Sequence, residues 1–281
     1  MRTSWGSATD SGRVRSLNED AVLAYPPVFL VADGMGGHQA GDVASRMVVE
    51  EFTRLAGRDA VTADDVHDCF GRAARRLREE LEGITAGTTV AGVAVARHDD
   101  GGSYWLVFNI GDSRVYRLVG EALEQISVDH SVVQELLDRG AISPDQARQH
   151  PERHVITRAL GTDTEPEPDY WMIPAGATDR VLICSDGLTA ELDDATIAAL
   201  LGGDPDPQEA AAHLVATAVG AGGKDNVSAI VVDVATTARA FGTAPDEDTA
   251  ETWDSKLEDT TRPRTVRPQR PVEPGQPGGA R

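Results

Sequence analysis

A chain of 281 residues, 40% hydrophobic and 26% charged, can bury a large core and is ordinary in composition, which excludes a fibre or a wholly disordered polymer. Its charge is less ordinary, with 46 acidic against 26 basic residues for a formal net charge of -20. That excess argues against nucleic acid as a partner, which needs a basic stripe to displace counterions, and against docking on an anionic membrane surface.

From its start the chain reads as untargeted and cytoplasmic: Met1 to Gly6 has no basic region leading into an apolar stretch, and no run of about 18 apolar residues occurs anywhere. The stretch Thr9-Asp10-Ser11-Gly12-Arg13-Val14-Arg15-Ser16-Leu17-Asn18-Glu19-Asp20 carries an acidic pair behind an arginine. On an extended strand, alternation would place Arg15, Leu17 and Glu19 on one face, where an arginine offers a planar, bidentate donor for phosphate oxygens. The plainer alternative is a polar turn with a surface ion pair.

Short apolar, β-branched runs bounded by Gly, Asp or Asn predict strands at Val28 to Ala32, Thr88 to Val95, Tyr104 to Ile110, Arg114 to Leu118, Arg180 to Cys184 and Val227 to Val234. Between the first two lie two consecutive helical patterns: Val43, Met47, Val48, Phe52 and Leu55 on one face, then Val66, Phe70, Ala73, Leu77, Leu81 and Ile84 on another. A helix pair followed by a run of strands is not βαβ alternation, so antiparallel sheets covered by helices are expected. Segment Asp129 to Gly161, with a short helical pattern at Val132 to Leu137, is a long polar insertion: a lid or binding loop, or else a passive excursion.

Apolar residues become sparse near residue 236, so a single domain is expected over 1–235 and a Pro-rich, disordered tail over 236–281. The tail holds eight acidic and seven basic residues, leaving 38 and 19 in the domain, a net of -19, so the acidity belongs to the domain. Within the tail, Pro268, Pro271, Pro274 and Pro277 recur every third residue, as along one edge of a polyproline II helix; a solvated tail and a docking motif both fit.

The chemistry is carried by apolar strands that end in an aspartate beside a glycine. Val28-Phe29-Leu30-Val31-Ala32-Asp33-Gly34 and Val181-Leu182-Ile183-Cys184-Ser185-Asp186-Gly187 share this form, Gly111-Asp112 reverses its order, and Asp225 precedes the strand at Val227. Any one of these is an ordinary turn dipeptide. Together they would crowd like charges at one sheet edge, raising their pKa values and costing stability unless a cation neutralises them. Oxygen donors without thiolates or paired imidazoles suit magnesium or manganese better than zinc. Cys69 and Cys184 are far apart, in no Cys-x-x-Cys pattern, and read as small core residues. Cys69 and Arg75 match the Cys-x5-Arg spacing of cysteine-dependent phosphatases, but they sit in a helical pattern without a glycine-rich loop, so the match is spurious.

With these motifs in order (Arg15 to Asp20, Asp33-Gly34-Met35-Gly36-Gly37-His38, Gly87-Thr88-Thr89, Gly111-Asp112-Ser113-Arg114, Asp129-His130-Ser131, Thr157-Arg158-Ala159-Leu160-Gly161, Ser185-Asp186-Gly187 and Asp225-Asn226), the chain resembles the metal-dependent protein phosphatases of type 2C in their bacterial form, over roughly Thr3 to Val234. The resemblance implies an α+β fold, a four-layer α-β-β-α sandwich of two antiparallel sheets flanked by helices. It implies a centre of two Mn2+ or Mg2+ ions at one end, with a third ion beside them. Carried over by position, Asp33 corresponds to the carboxylate bridging both metals, Gly34 lends its carbonyl, and Asp186 and Asp225 complete the first ion's shell. Glu19 and Asp20 correspond to outer-shell groups that hold metal-bound waters, Asp112 with Asp186 to the third site, and Arg15 to the phosphate clamp. The segment at about 130–161 corresponds to the family's flap.

The implied activity is hydrolysis of phosphoserine and phosphothreonine by direct attack of a hydroxide shared between two metals about 3.5 to 4 Å apart. Arg15, Asp33 and Asp112 are the expected catalytic set. Met35 stands where eukaryotic relatives place a histidine, so the leaving group's proton is expected from metal-bound water held by Asp112 and Asp186. His38 reads as a loop or helix-start residue. Expected partners are phosphorylated proteins, both substrates of a bacterial serine/threonine kinase and the kinase itself, with the chain a monomer. Two alternatives stay open: a catalytically silent phosphoprotein-binding relative, and a phosphatase dedicated to a transcription-factor regulator.

Overall fold

Strict alternation along the apolar runs decides how the layers stack. The computed structural model describes residues 1–36, 40–97, 102–162 and 166–235. Its first half runs β1 (Thr3–Asp10), β2 (Asp20–Tyr25), β3 (Val28–Gly36), α1 (Ala40–Thr53), α2 (Ala63–Glu80), β4 (Ala86–Thr88), β5 (Val90–Arg97) and β6 (Ser103–Ile110). There follow β7 (Arg114–Val119), β8 (Ala122–Gln125), α3 (Val132–Asp138), α4 (Pro144–Arg148), β9 (Asp169–Pro174), β10 (Arg180–Cys184), α5 (Asp186–Thr189), α6 (Asp194–Gly203), α7 (Pro207–Ala221) and β11 (Val227–Val234).

One sheet has the order β1-β11-β10-β7-β8 and the other β2-β3-β5-β6-β9, with β4 paired to the end of β3; every pairing is antiparallel. Along β3, Val28, Leu30 and Ala32 face α1 and α2, while Phe29 and Val31 face the opposite sheet. Along β11, Val227, Ala229 and Val231 face the layer of α5, α6 and α7, while Ile230 and Val232 turn inward. A period of two therefore yields three apolar interfaces and the expected four-layer sandwich.

The helix pair forms as expected, and Met47, Val48, Phe52, Val66, Phe70, Ala73 and Leu77 are buried against the second sheet. Ile84 is a correction: α2 ends at Glu80, Gly83 takes φ +77°, and the Ile84 side chain lies in the following turn, 52% exposed. The predicted strand Thr88 to Val95 is two strands, β4 and β5, interrupted at Thr89; both pair with β3, and Thr89 N donates to the Asp33 carbonyl of β3 at 2.9 Å. Strands β1, β2, β8 and β9 and helices α4 to α7 were not anticipated. β1 owes its place to β11, and its edge is closed by Gln208 of α7, whose amide accepts from Ser7 N at 3.1 Å and donates to Ser7 O at 3.0 Å. Both cysteines are buried and free. Among the described residues no helix is long and apolar enough to cross a membrane. The expectations for the tail and for His38 lie outside the described residues.

Packing between ring and backbone is close at Gly92 of β5, where a Cβ would stand 2.5 Å from the Phe108 ring and 2.7 Å from the Phe29 carbonyl. Phe108 cannot retreat readily, since it stacks on Phe52 at 5.5 Å and meets Phe70 edge-on at 5.9 Å. Gly71 on α2 has nothing within 4 Å of such a Cβ. By urea denaturation, Gly92→Ala should lose about 1–3 kcal/mol through overpacking. Gly71→Ala should gain about 0.5–1 kcal/mol through helix entropy. The reverse order would contradict this packing.

Candidate metal centre

The alternation that stacks the layers also aims the acidic residues. Asp33 continues the inward face of Phe29 and Val31, and Asp20, its partner across the β2–β3 ladder, continues the inward face of Val22 and Ala24. Ser228 on β11 and Ser185 just after β10 continue the inward faces of the other sheet. These positions meet where the sheets end against each other: Ser185 Oγ and Ser228 Oγ donate to Asp20 Oδ2 at 2.8 and 2.7 Å. Asp20 Oδ1 is buried with no hydrogen-bond partner among the described residues.

Connections bring in the remaining acids. Asp186 opens α5 beside the Asp225-Asn226 loop, so closely that a Cβ on Gly187 would lie 2.0 Å from the Asn226 carbonyl. Asp112 sits in the turn between β6 and β7, where Gly111 takes φ +111°. Gly34 and Gly41 are pressed backbone to backbone, a Cβ on Gly34 reaching within 2.1 Å of the Gly41 carbonyl. The Glu19 carbonyl accepts from Gly34 N at 3.1 Å and from Ser45 Oγ at 2.6 Å, which seats the acidic pair against β3 and α1.

Arg15 requires a correction. Residues 12–17 form turns and bends rather than a strand, so Arg15, Leu17 and Glu19 do not share a strand face. Asn226 shapes this loop instead: its amide donates to the carbonyls of Ser11 at 3.0 Å and Leu17 at 2.9 Å, and its Oδ1 accepts from Glu19 N at 2.9 Å. Arg15 still reaches the acids, pairing with Asp225 at 2.7 Å.

Asp20, Asp33, Asp112 and Asp186 retain a little contact with solvent but are walled in by protein on most sides, so desolvation is the largest influence on their titration. Burial, followed by the charge of Asp20, Asp186, Asp112 and Asp225, holds the Asp33 carboxyl well above the usual carboxylate range. Burial pushes Asp20 up to about 7 against the two serine hydrogen bonds that favour its anion. Asp112 rises to about 8 through burial, then the charges of Asp186 and Asp129. Asp186 is raised by burial and by Asp225, and a hydrogen bond with Asp33 pulls the other way.

As placed, no three Asp, Glu, His or Cys side chains among the described residues form a ready cage for an ion; Asp33 and Asp186 share a hydrogen bond, and Asp225 turns to Arg15. The donor set nevertheless fits a hard cation: it is all oxygen, mutually repelling, and includes a buried orphan lone pair on Asp20. Two neighbours escaped the sequence reading. His154 of the flap comes within 4.0 Å of Asp186, with no sequence signal to reveal it. Thr89 ties the acids together, accepting from Asp33 N at 3.2 Å and bonding Ser113 Oγ at 2.7 Å; its Gly-Thr-Thr motif was visible, its role was not. The Cys-x5-Arg match falls within α2, and burial drives the Cys69 thiol up to about 11, unsuited to a nucleophile.

The chain is thus an α+β protein of two antiparallel sheets with an oxygen-rich acidic seam and an arginine paired at Asp225, and its sequence identifies the family. Residues 13–202 match the Protein phosphatase 2C family, and the chain belongs to it. It is 40% identical over 238 residues to the serine/threonine protein phosphatase PstP of Mycobacterium tuberculosis, covering 82% of this chain but 45% of that protein, so it spans less than half of that relative's length. It is 34% identical over 247 residues to the serine/threonine phosphatase stp of Listeria innocua, covering 80% of this chain and 93% of that protein. Among solved structures, it is similar to the catalytic domain of a serine/threonine protein phosphatase PstP in complex with two manganese ions. That match has a TM-score of 0.70 and 36% identity, covering 82% of this chain and 97% of the other.

The raised carboxyls set a stability test. Asp20 and Asp112 hold protons to about 7 and about 8 when folded, but only to about 4 when unfolded. Between those limits the folded state binds more protons, so their contribution is full below about pH 4 and is lost as pH rises through 7 to 8. In chelator, the thermal midpoint should fall from pH 6 to pH 8.5, and Mn2+ should raise it more at the higher pH, since its ligands must be ionised. A midpoint that is flat or rising in chelator, with no Mn2+ effect, would contradict this reading.

Proposed function

We propose that the chain is a divalent-metal-dependent phosphatase that releases phosphate from phosphoserine and phosphothreonine in proteins. The observation that carries the reading is the seam itself: Asp20, Asp33, Asp112 and Asp186, far apart in sequence, have their proton affinity raised by burial and by neighbouring acids at one end of the sandwich, with Asp225 beside them. Membership of the phosphatase family and the manganese bound by a similar catalytic domain support it.

In this reading Asp33, the Gly34 carbonyl, Asp186 and Asp225 hold two Mn2+ or Mg2+ ions, Asp112 with Asp186 holds a third, and Glu19 and Asp20 act from the outer shell. Ions bound there would lower the pKa of water to give a nucleophile near neutral pH and would offset charge on the phosphate. The chain's residues do the rest. Arg15 pairs with Asp225 in a half-exposed contact, 51% and 39% exposed. Such a pair holds little energy, so the guanidinium can exchange Asp225 for phosphate oxygens at small cost. Ser185 and Ser228 hold one Asp20 oxygen and leave the other to face the site's charge. Met35 has no exchangeable proton, so protonation of the leaving alkoxide is assigned to the side of the site lined by Asp112 and Asp186.

The flap is rooted beside the centre by bridges from Thr88 to Leu160 and from Ser131 to Ile156. It also brings His154 within 4.0 Å of Asp186, so a phosphoprotein bound at the centre would meet it. Phosphoprotein substrates, and the opposing serine/threonine kinase, are inferred from the family resemblance.

The test is phosphate release from a phosphothreonine peptide with and without Mn2+. Asp33→Asn should cut the Mn2+-dependent rate by more than about 100-fold. Arg15→Ala should cut kcat/KM by about 100-fold through loss of a charge-stabilising donor. Cys69→Ser should leave the rate unchanged. Release that survives chelator but is abolished by Cys69→Ser would overturn the proposal.

A further inference from the structure

The peptide that carries Asp112 is gripped on both sides by groups that the proposed reaction does not use. Gly111 N–H donates to His130 Nδ1 at 3.2 Å, and the Gly111 carbonyl accepts from His130 N at 2.8 Å and from Asn109 Nδ2 at 3.1 Å. With φ +111°, and a Cβ that would meet Thr89 at 2.5 Å, Gly111 has little freedom to run otherwise. The Gly111 N–H belongs to the peptide before it and the Gly111 C=O to the peptide that leads into Asp112, so both planes flanking residue 111 are held, and their setting fixes where the next carboxylate points.

The imidazole is itself held. It is 5% exposed, and accepting at Nδ1 puts its proton on Nε2, which lies 3.3 Å from Asp169 Oδ2 on β9. Arg158 Nη1 stands 3.6 Å from Asp169 Oδ1 and 3.4 Å from the ring nitrogen, adding charge to the same corner. The backbone of His130 roots the flap: its carbonyl accepts from Thr157 N at 2.8 Å, and the next residue, Ser131, bridges to Ile156. One residue thus touches the Asp112 turn through its ring and N–H, and the returning arm of the flap through its carbonyl.

We infer that His130, oriented by Asp169, is a positioning residue for Asp112 and couples the root of the flap to that carboxylate. The inference rests on the phosphatase reading, in which Asp112 serves a cation. The chemistry is that of a partner group setting the direction of a metal ligand, whose removal lowers metal affinity or activity by about 10–100-fold.

The experiment uses the full chain as wild type, His130→Ala, His130→Asn and Asp169→Asn, with three readouts: hydrogen exchange of the Gly111 amide without metal, Mn2+ binding by calorimetry, and Mn2+-dependent turnover of a phosphothreonine peptide. His130→Ala should speed Gly111 exchange and weaken the dependence on Mn2+ by about 10-fold. His130→Asn, whose Oδ1 can take the place of Nδ1 as acceptor, should restore both toward wild type, and Asp169→Asn should fall between. Unchanged Gly111 protection and Mn2+ affinity in His130→Ala would overturn the inference, as would a loss that asparagine fails to restore in a folded chain. Should His130→Ala not fold, His130→Asn and Asp169→Asn decide by the same readouts. A wild type without Mn2+-dependent turnover would sink the phosphatase reading instead, while Gly111 exchange, read without metal, would still judge the clamp.

Discussion

Carboxylates that water would leave fully ionised are confined where two sheets end against each other, and their repulsion sets the terms for everything around them. Charges a few ångströms apart in a poorly hydrated seam repel far more strongly than on a surface. The chain answers with raised proton affinity on Asp20, Asp33, Asp112 and Asp186, with serine hydroxyls on one Asp20 oxygen, and with Arg15 on Asp225. A divalent cation would answer the same demand better, because it satisfies several anions at once. It would also reverse the local sign of a domain whose net charge otherwise repels phosphate.

Much of this geometry follows from one property of strands, the period of two. Alternation that buries Phe29 and Val31 between the sheets delivers Asp33 to the same interface, and Ile230 and Val232 do the same for Ser228. Asp20 and Asp33 need no special backbone to meet; they need strands that end in register. Special backbone appears where chains must approach more closely than side chains allow, at Gly34 against Gly41 and at Gly187 against Asn226.

What the sequence made legible divides along the same line. Runs such as Val28 to Ala32 and Val227 to Val234 declare themselves because both faces are buried, and the aspartates at their ends could be picked out as candidates. β1 could not be read that way, since Thr3 to Asp10 contains mostly small and polar residues and gains its strand character from pairing with β11. β2 begins with Asp20, whose acidity masks the apolar residues that follow. α7 carried usable signals, an Asp206 cap and Pro207 at its first turn, but its buried face is largely alanine and gives weak contrast. Local pattern leaves the Arg15 stretch open between a strand and a polar turn with an ion pair, and the turn is decided from a distance by Asn226. The contact of His154 with Asp186 depends on where a long insertion folds back, which local pattern does not encode.

The most direct test is an anomalous-difference map from crystals of the full chain grown with Mn2+. Two strong peaks bounded by oxygens of Asp33, Asp186 and Asp225, with Arg15 released from Asp225, are expected. A map empty at this seam at saturating Mn2+, with Arg15 still paired with Asp225, would contradict the central claim that these carboxylates are gathered to hold hard cations.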